Sequence, residues 1–166
     1  MEGEPTHGQF KGHSAKDAFT EQLVKITNLT FTSSSQMVNQ ICIFDILKNK
    51  YNYKNLDECF EDRRNHREEW YNLICDYNKE DKSRLTKEII KTNNIYVGMR
   101  DDKEYEYSRH LFDLIIWVDA FKRVFEKDDT LKIDFKTSNP DIIINNNGTI
   151  DQLKDYAKLF GKINNL

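Results

Sequence analysis

The stretch FDLIIWVDA, residues 112–120, holds the apolar run Leu114-Ile115-Ile116-Trp117-Val118, which has no polar residue in alternation. A strand with one wet face alternates apolar and polar side chains. A continuous run is what a strand covered on both faces needs, and such strands belong to parallel sheets. Working outward, Ile95-Tyr96-Val97 is a shorter run of the same kind, ended by Gly98-Met99-Arg100. Asp141-Ile142-Ile143-Ile144-Asn145 is a third, closed by the turn residues Asn146-Asn147-Gly148. The three are expected to be neighbouring or near-neighbouring strands of one parallel sheet.

The segments around these runs read as helices. Lys16 to Thr27 carries Phe19, Leu23, Val24 and Ile26 at roughly helical spacing. Leu29 to Thr32 predicts a short strand, and Ser33-Ser34-Ser35 predicts the cap of a helix carrying Met37, Val38, Ile41, Ile43, Phe44 and Leu47. Cys59 to Asn78 predicts one helix with Trp70, Leu73 and Ile74 inward, and Ser83 to Lys91 another. Asp101 to Arg109 predicts a charged, exposed helix, and Leu131 to Phe135 a short strand. Thr149 is expected to cap a final helix, Ile150 to Ile163, with Leu153, Tyr156, Ala157 and Phe160 on one stripe. Strand and helix alternate through the second half, the signature of βαβ units. The expected fold is α/β: three layers, a mostly parallel sheet with helices on both faces.

The 166 residues suit a single domain, 1–166, with 1–9 expected as a disordered or altered N-terminus. The formal net charge of -3, with both signs scattered along the chain, makes no case for wholesale nucleic-acid binding, which needs a basic face. No apolar run approaches the roughly 20 residues of a membrane span, and the polar start MEGEPTHGQF has no secretory h-region. Cys42, Cys59 and Cys75 form no CxxC pair, which argues against a disulfide framework or a zinc site. A cytoplasmic protein is expected.

Four stretches carry candidate chemistry. Lys11 to Ala18, KGHSAKDA, opens a helix with a lysine where a phosphate loop needs one. Aligned on Lys16, the pattern GxxxxGK[ST] wants glycine at 10 and 15 and a hydroxyl at 17, where this chain has Phe10, Ala15 and Asp17. An ordinary capped helix start fits these residues as well. The second stretch, Glu61 to Trp70, gathers Arg63, Arg64, His66 and Arg67. Guanidinium matches phosphate with two parallel hydrogen bonds, although a solvated face of i,i+4 pairs is the alternative. The third is Arg100, directly after a strand, where ligands sit in open α/β sheets. The fourth is Asp119, with Lys122 and Arg123 close behind, suited to an ATP site, a mobile lid or a helix cap.

These pieces occur in one order: KGHSAKDA, FTSSSQ, EDRRNHREEWYNLICDYNKED, IYVGMR, FDLIIWVDA, a basic stretch, and PDIIINNNGTIDQL. Order and wording resemble the phage deoxynucleoside monophosphate kinase family, a branch of the P-loop nucleotide kinases. The closing strand, NNNGT and helix are also similar to the end of dephospho-CoA kinases. The resemblance covers Lys11 to Ile163.

It implies transfer of the ATP γ-phosphoryl to a nucleoside monophosphate with Mg²⁺ bridging, in host cytoplasm if the chain is phage-encoded. Lys16, Arg100 and Arg123 match catalytic positions. Gly12, His13, Ser14, Ala15, Lys16 and Asp17 match the ATP phosphate loop. Ser33, Ser34, Ser35, Gln36, Arg64, His66 and Arg67 match the monophosphate-binding segment. The departures are Phe10 and Ala15 in place of glycines, Ala18 where relatives often carry a hydroxyl, and no apolar strand before Phe10. They leave two readings: an active phosphotransferase, or a silent relative that binds a nucleotide or a protein partner. A homodimer is a further open expectation.

Overall fold

The computed structural model describes residues 15–119, 133 and 135–166. Helix α1 is Ala15–Ile26, strand β1 Phe31–Ser33 and helix α2 Ser34–Val38. A π-helical turn, Asn39–Ile43, joins α2 to α3, Phe44–Tyr51. Then come α4 (Leu56–Asp62), α5 (Arg67–Tyr77), α6 (Arg84–Ile90), β2 (Ile95–Val97), α7 (Asp102–Ser108) and a 3₁₀ turn, Arg109–Leu111. The chain closes with β3 (Ile116–Asp119), α8 (Phe135–Ser138), β4 (Ile142–Asn145) and α9 (Ile150–Ile163).

The fold mixes helix with short parallel strands. β1 pairs with β2, Phe31 opposite Ile95 and Ser33 opposite Val97. β3 pairs with β4, Ile116 opposite Ile142 and Asp119 opposite Asn145. Among the described residues these are separate two-stranded sheets, so two of the expected neighbours, the Leu114 and Asp141 runs, do pair, while the Ile95 run pairs with Phe31–Ser33 instead.

One helix layer serves both pairs. Phe19 and Leu23 of α1 and Leu153, Ala157 and Phe160 of α9 form a buried core with Ile144, and Ile95, Ile116, Val118 and Ile142 pack against it. The Phe19 and Phe160 rings meet edge-on at 6.0 Å. Gly161 lets α1 approach: a Cβ there would lie 3.2 Å from Ile26 Cδ1. On the other side of β2, Tyr96 packs against a second core of Val38, Ile43, Leu47, Cys59, Trp70, Leu85 and Ile89, supplied by the helices between β1 and β2. β2 therefore has helices on both faces, as its apolar run demands.

Several expectations are corrected. The Cys59 to Asn78 helix is two helices, α4 and α5, broken at Arg63–His66, where Asn65 N–H donates to the Asp62 carbonyl (2.9 Å) and the Asn65 amide to the Asp62 carboxylate (2.6 Å). That local side-chain bond competes with helix continuation. Residues Phe135–Ser138 form one helical turn, so Phe135 does not end a strand. The Asp141 run is not covered on both faces, since Ile143 is 55% exposed. Tyr156 leaves the inward stripe of α9 and is exposed. α7 is not wholly exposed, because Glu104 and Ser108 are buried. Two helix starts agree with the sequence. Ser33 and Thr149 both make capping boxes, accepting from the N–H of Gln36 and Gln152 while those side chains accept from the cap N–H.

Candidate functional site

The carboxyl ends of β1 and β2 bring together two segments separated by most of the helical region. Ser33 ends β1 and caps α2 through its reciprocal bonds with Gln36. Ser34 is buried and its hydroxyl donates to the Gly98 carbonyl just past β2, at 3.1 Å. Gly98 has φ 93°, a left-handed conformation that disfavours a side chain, and a Cβ there would sit 3.5 Å from Ser34 Oγ. Ser34 and Gly98 thus fix the turn that leads to Arg100. Ser33, Ser34, Ser35, Gln36 and Arg100 consequently share one edge of a parallel pair, the edge at which open α/β sheets place ligands.

A cationic cluster lies between α4 and α5. Arg63 is half-buried, its guanidinium 3.7 Å from the Phe60 ring centroid and its Nη1 donating to the Phe60 carbonyl at 2.6 Å. Burial, then the charge of Arg64, draws the Arg63 guanidinium below its usual range; Glu61 and Asp17 oppose this and Arg67 adds to it. Asp17 stands in the first turn of α1. The opening turn of α1, with Lys16 and Asp17, is therefore within electrostatic reach of the arginine cluster. Arg64 and Arg67 are exposed.

His66 is committed elsewhere. Its ring lies 4.0 Å from that of Tyr51, and Nε2 is 3.1 Å from the Asp62 carboxylate. Tyr53 donates to the same carboxylate at 2.6 Å. Glu69 accepts from Lys50 and Tyr51, each at 2.6 Å. His66 thus helps tie the α4–α5 break to the end of α3, and its ring is used in that contact.

At the carboxyl ends of β3 and β4, Asn146 N–H donates to the Asp119 carbonyl at 2.7 Å and the Asn147 amide reaches the Asp119 carboxylate at 3.3 Å. Asp119 is the last residue of β3, and a helix cap at Asp119 would fall on residues outside the described ones. Gly12, His13, Ser14, Lys122 and Arg123 lie outside the described residues, and Ala15 is the first residue of α1. Among the described residues no group of three or more His, Cys, Asp or Glu side chains is arranged to hold a metal ion.

The sequence placed Arg63 in the arginine cluster without marking it as half-buried or as a ligand position, and it did not mark Glu104 at all. Arg63 belongs to the arginine cluster, but the helix break that half-buries it is set by Asn65 and Asp62. Glu104 sits in a strongly charged heptapeptide, DKEYEYS, with no apolar stripe to mark an inward face. Its Oε1 nonetheless accepts from Tyr96 Oη (2.8 Å) and Thr86 Oγ1 (3.0 Å).

No family model, curated protein or solved structure matches the chain. Among the described residues no helix is long and apolar enough to cross a membrane.

Proposed function

We propose that the chain is a nucleotide-binding relative of the phage deoxynucleoside monophosphate kinases, with phosphoryl transfer weak or lost. The observation that carries this reading is the Ser34–Gly98 contact at 3.1 Å. It joins FTSSSQ to IYVGMR at the carboxyl edge of parallel strands, where a kinase of this type would hold a monophosphate. The arginine cluster near Asp17 supports it, since α1 is the helix that would follow a phosphate loop.

In this reading Arg100, Arg64 and Arg67 face one cleft and bind the monophosphate as charge-assisted forks. Lys16 meets the ATP phosphates at the start of α1. Among the described residues the two parallel pairs are separate sheets; in this reading they are parts of a three-layer kinase-type sheet, which the α1–α9 layer that both pack against supports. Mg²⁺ would be carried on the nucleotide phosphates, because Ala18 brings no hydroxyl to it.

Weak turnover follows from the loop. Glycine lets backbone N–H groups curl around phosphate oxygens without a Cβ in the way, and Phe10 and Ala15 replace glycine there. Losing one pre-organised donor costs on the order of 10²- to 10³-fold in rate. The test is a coupled ADP-release assay across the ribo- and deoxyribonucleoside monophosphates, beside calorimetric binding of the same compounds. Binding with turnover far below the usual kinase range of roughly 1–100 s⁻¹ is expected. A rate within that range for any substrate restores the active enzyme, and failure to bind every nucleotide removes the nucleotide reading.

A further inference from the structure

Glu104, 2% exposed, is the buried acid of the β2 edge. Three elements besides its own helix converge on it. Tyr96 from β2 and Thr86 from α6 donate to Oε1, Ser108 from α7 donates to Thr86 at 3.0 Å, and the Asn78 amide at the end of α5 contributes a further bond. Its own N–H is capped by Asp101 Oδ1 at 2.8 Å, and Asp101 Oδ2 accepts from Tyr71 of α5 at 2.9 Å. Tyr96 also contacts Ser34, the residue that holds the Gly98 carbonyl. Arg100 thus lies in a short loop tied at one end by Ser34 and at the other by the first turn of α7, and its carbonyl accepts from the Ile133 N–H at 3.2 Å.

We propose that Glu104 is a proton-operated latch and the positioning residue for Arg100: protonated, it holds the first turn of α7 against β2 and α6; ionised, it releases that turn and the Arg100 loop with it. The charge inventory around the carboxyl explains the direction. Asp101 faces it from the head of α7, Tyr96 from β2 and Cys75 from α5, and none of these is a cation. Lys103, on its own helix, is paired with Glu106 at 3.1 Å in solvent. Lys82 lines a neighbouring cavity of about 80 Å³ with Cys75, Asn78 and Asp101, which gives water a short route to the network when the turn opens. A buried carboxylate with an acidic neighbour and no ion-pair partner is relieved by opening toward water. Burial lifts the Glu104 carboxyl to about 7 against the hydrogen bonds from Tyr96, Thr86 and Asn78, with the Asp101 charge adding to the rise, which puts the latch in the physiological range.

The effect on Arg100 rests on the nucleotide reading; the latch itself does not. The experiment is amide hydrogen exchange of the full chain from about pH 6 to about pH 8.5, corrected for intrinsic rates, on wild type and Glu104→Gln. In wild type, protection across residues 98–108 falls relative to α9 by up to about tenfold per pH unit as pH rises toward about 7 and levels off above it, and in Glu104→Gln it stays level throughout. Parallel behaviour of the two proteins overturns the latch. If the variant does not fold, wild type alone decides: loss confined to residues 98–108 supports the latch, and loss shared equally with α9 overturns it. Inorganic phosphate binding, taken as wild type over Glu104→Gln at each pH so that the titration of phosphate cancels, is expected to weaken as pH rises. A working latch with no change in that ratio counts against Arg100 as a phosphate ligand and leaves the latch standing.

Discussion

At the scale of single residues, Glu104 and Gly98 make predictions that need no ligand. Glu104 has its carboxyl raised from 4.5 to about 7, chiefly by burial. A raised carboxyl favours the protonated folded state. Its contribution is therefore complete below about pH 4.5 and is lost as pH rises through about 7. Chemical denaturation should show stability declining by up to about 1.4 kcal/mol per pH unit over that window, on the order of 3 kcal/mol in all. Glu104→Gln should flatten the decline and be the more stable protein above neutrality. A wild-type profile that rises from pH 5 to pH 7, or an unchanged slope in the variant, would show that the acid is ionised throughout. Gly98 stands at φ 93°. Gly98→Ala should lower stability by about 1–2 kcal/mol through backbone strain, visible as a reduced denaturant midpoint with unchanged m-value. These residues also mark the limit of the sequence. Gly98 was legible as a strand terminator, because a glycine after an apolar run is a local signal. The burial of Glu104 was not, because it depends on Tyr96, Thr86 and Asn78 converging from other elements.

At the scale of elements, caps read well and breaks did not. Thr149 and Gln152 announce the start of α9 within four consecutive residues, and the reciprocal hydrogen bonds are present. Thr149→Ala should remove about 1 kcal/mol of stability, since two orphan N–H groups of the first turn lose their arrangement. A loss below a few tenths of a kcal/mol in the same denaturation experiment would mean that packing alone holds the end of α9. The α4–α5 break was hidden because Cys59 to Asn78 has helical character throughout, and the interruption comes from Asn65 bonding to Asp62. That break matters for the site. It turns a run of charges into a cluster in which Arg63 is half-buried, Arg64 and Arg67 are exposed, and His66 is held against Tyr51. The strands show a related limit. Continuous apolar character correctly marked Ile95–Val97 as covered on both faces, yet Ile143 in a similar run is largely exposed. An apolar run states what a residue tolerates, and the helix that covers it comes from tertiary packing.

At the scale of the whole molecule, the alternation of strand and helix was enough to foresee parallel pairing, and both observed pairs are parallel. Which run pairs with which was beyond the sequence, because register and order are set by the shared α1–α9 layer and by the helical core on the other face of β2. The functional account rests on the same architecture: segments far apart in the chain meet at one strand edge, from which the chain leads directly to Arg100. Its central claim is that this edge binds the phosphate of a nucleotide. The most direct measurement is calorimetric titration of wild type and Arg100→Ala with a panel of nucleoside monophosphates and with the corresponding nucleosides. Wild type should bind at least one monophosphate saturably and its nucleoside far more weakly. Arg100→Ala should weaken that binding by about 10- to 100-fold, the range expected for one charged hydrogen-bonding group. Absence of saturable binding to every monophosphate, or affinity that Arg100→Ala leaves unchanged, would contradict the account.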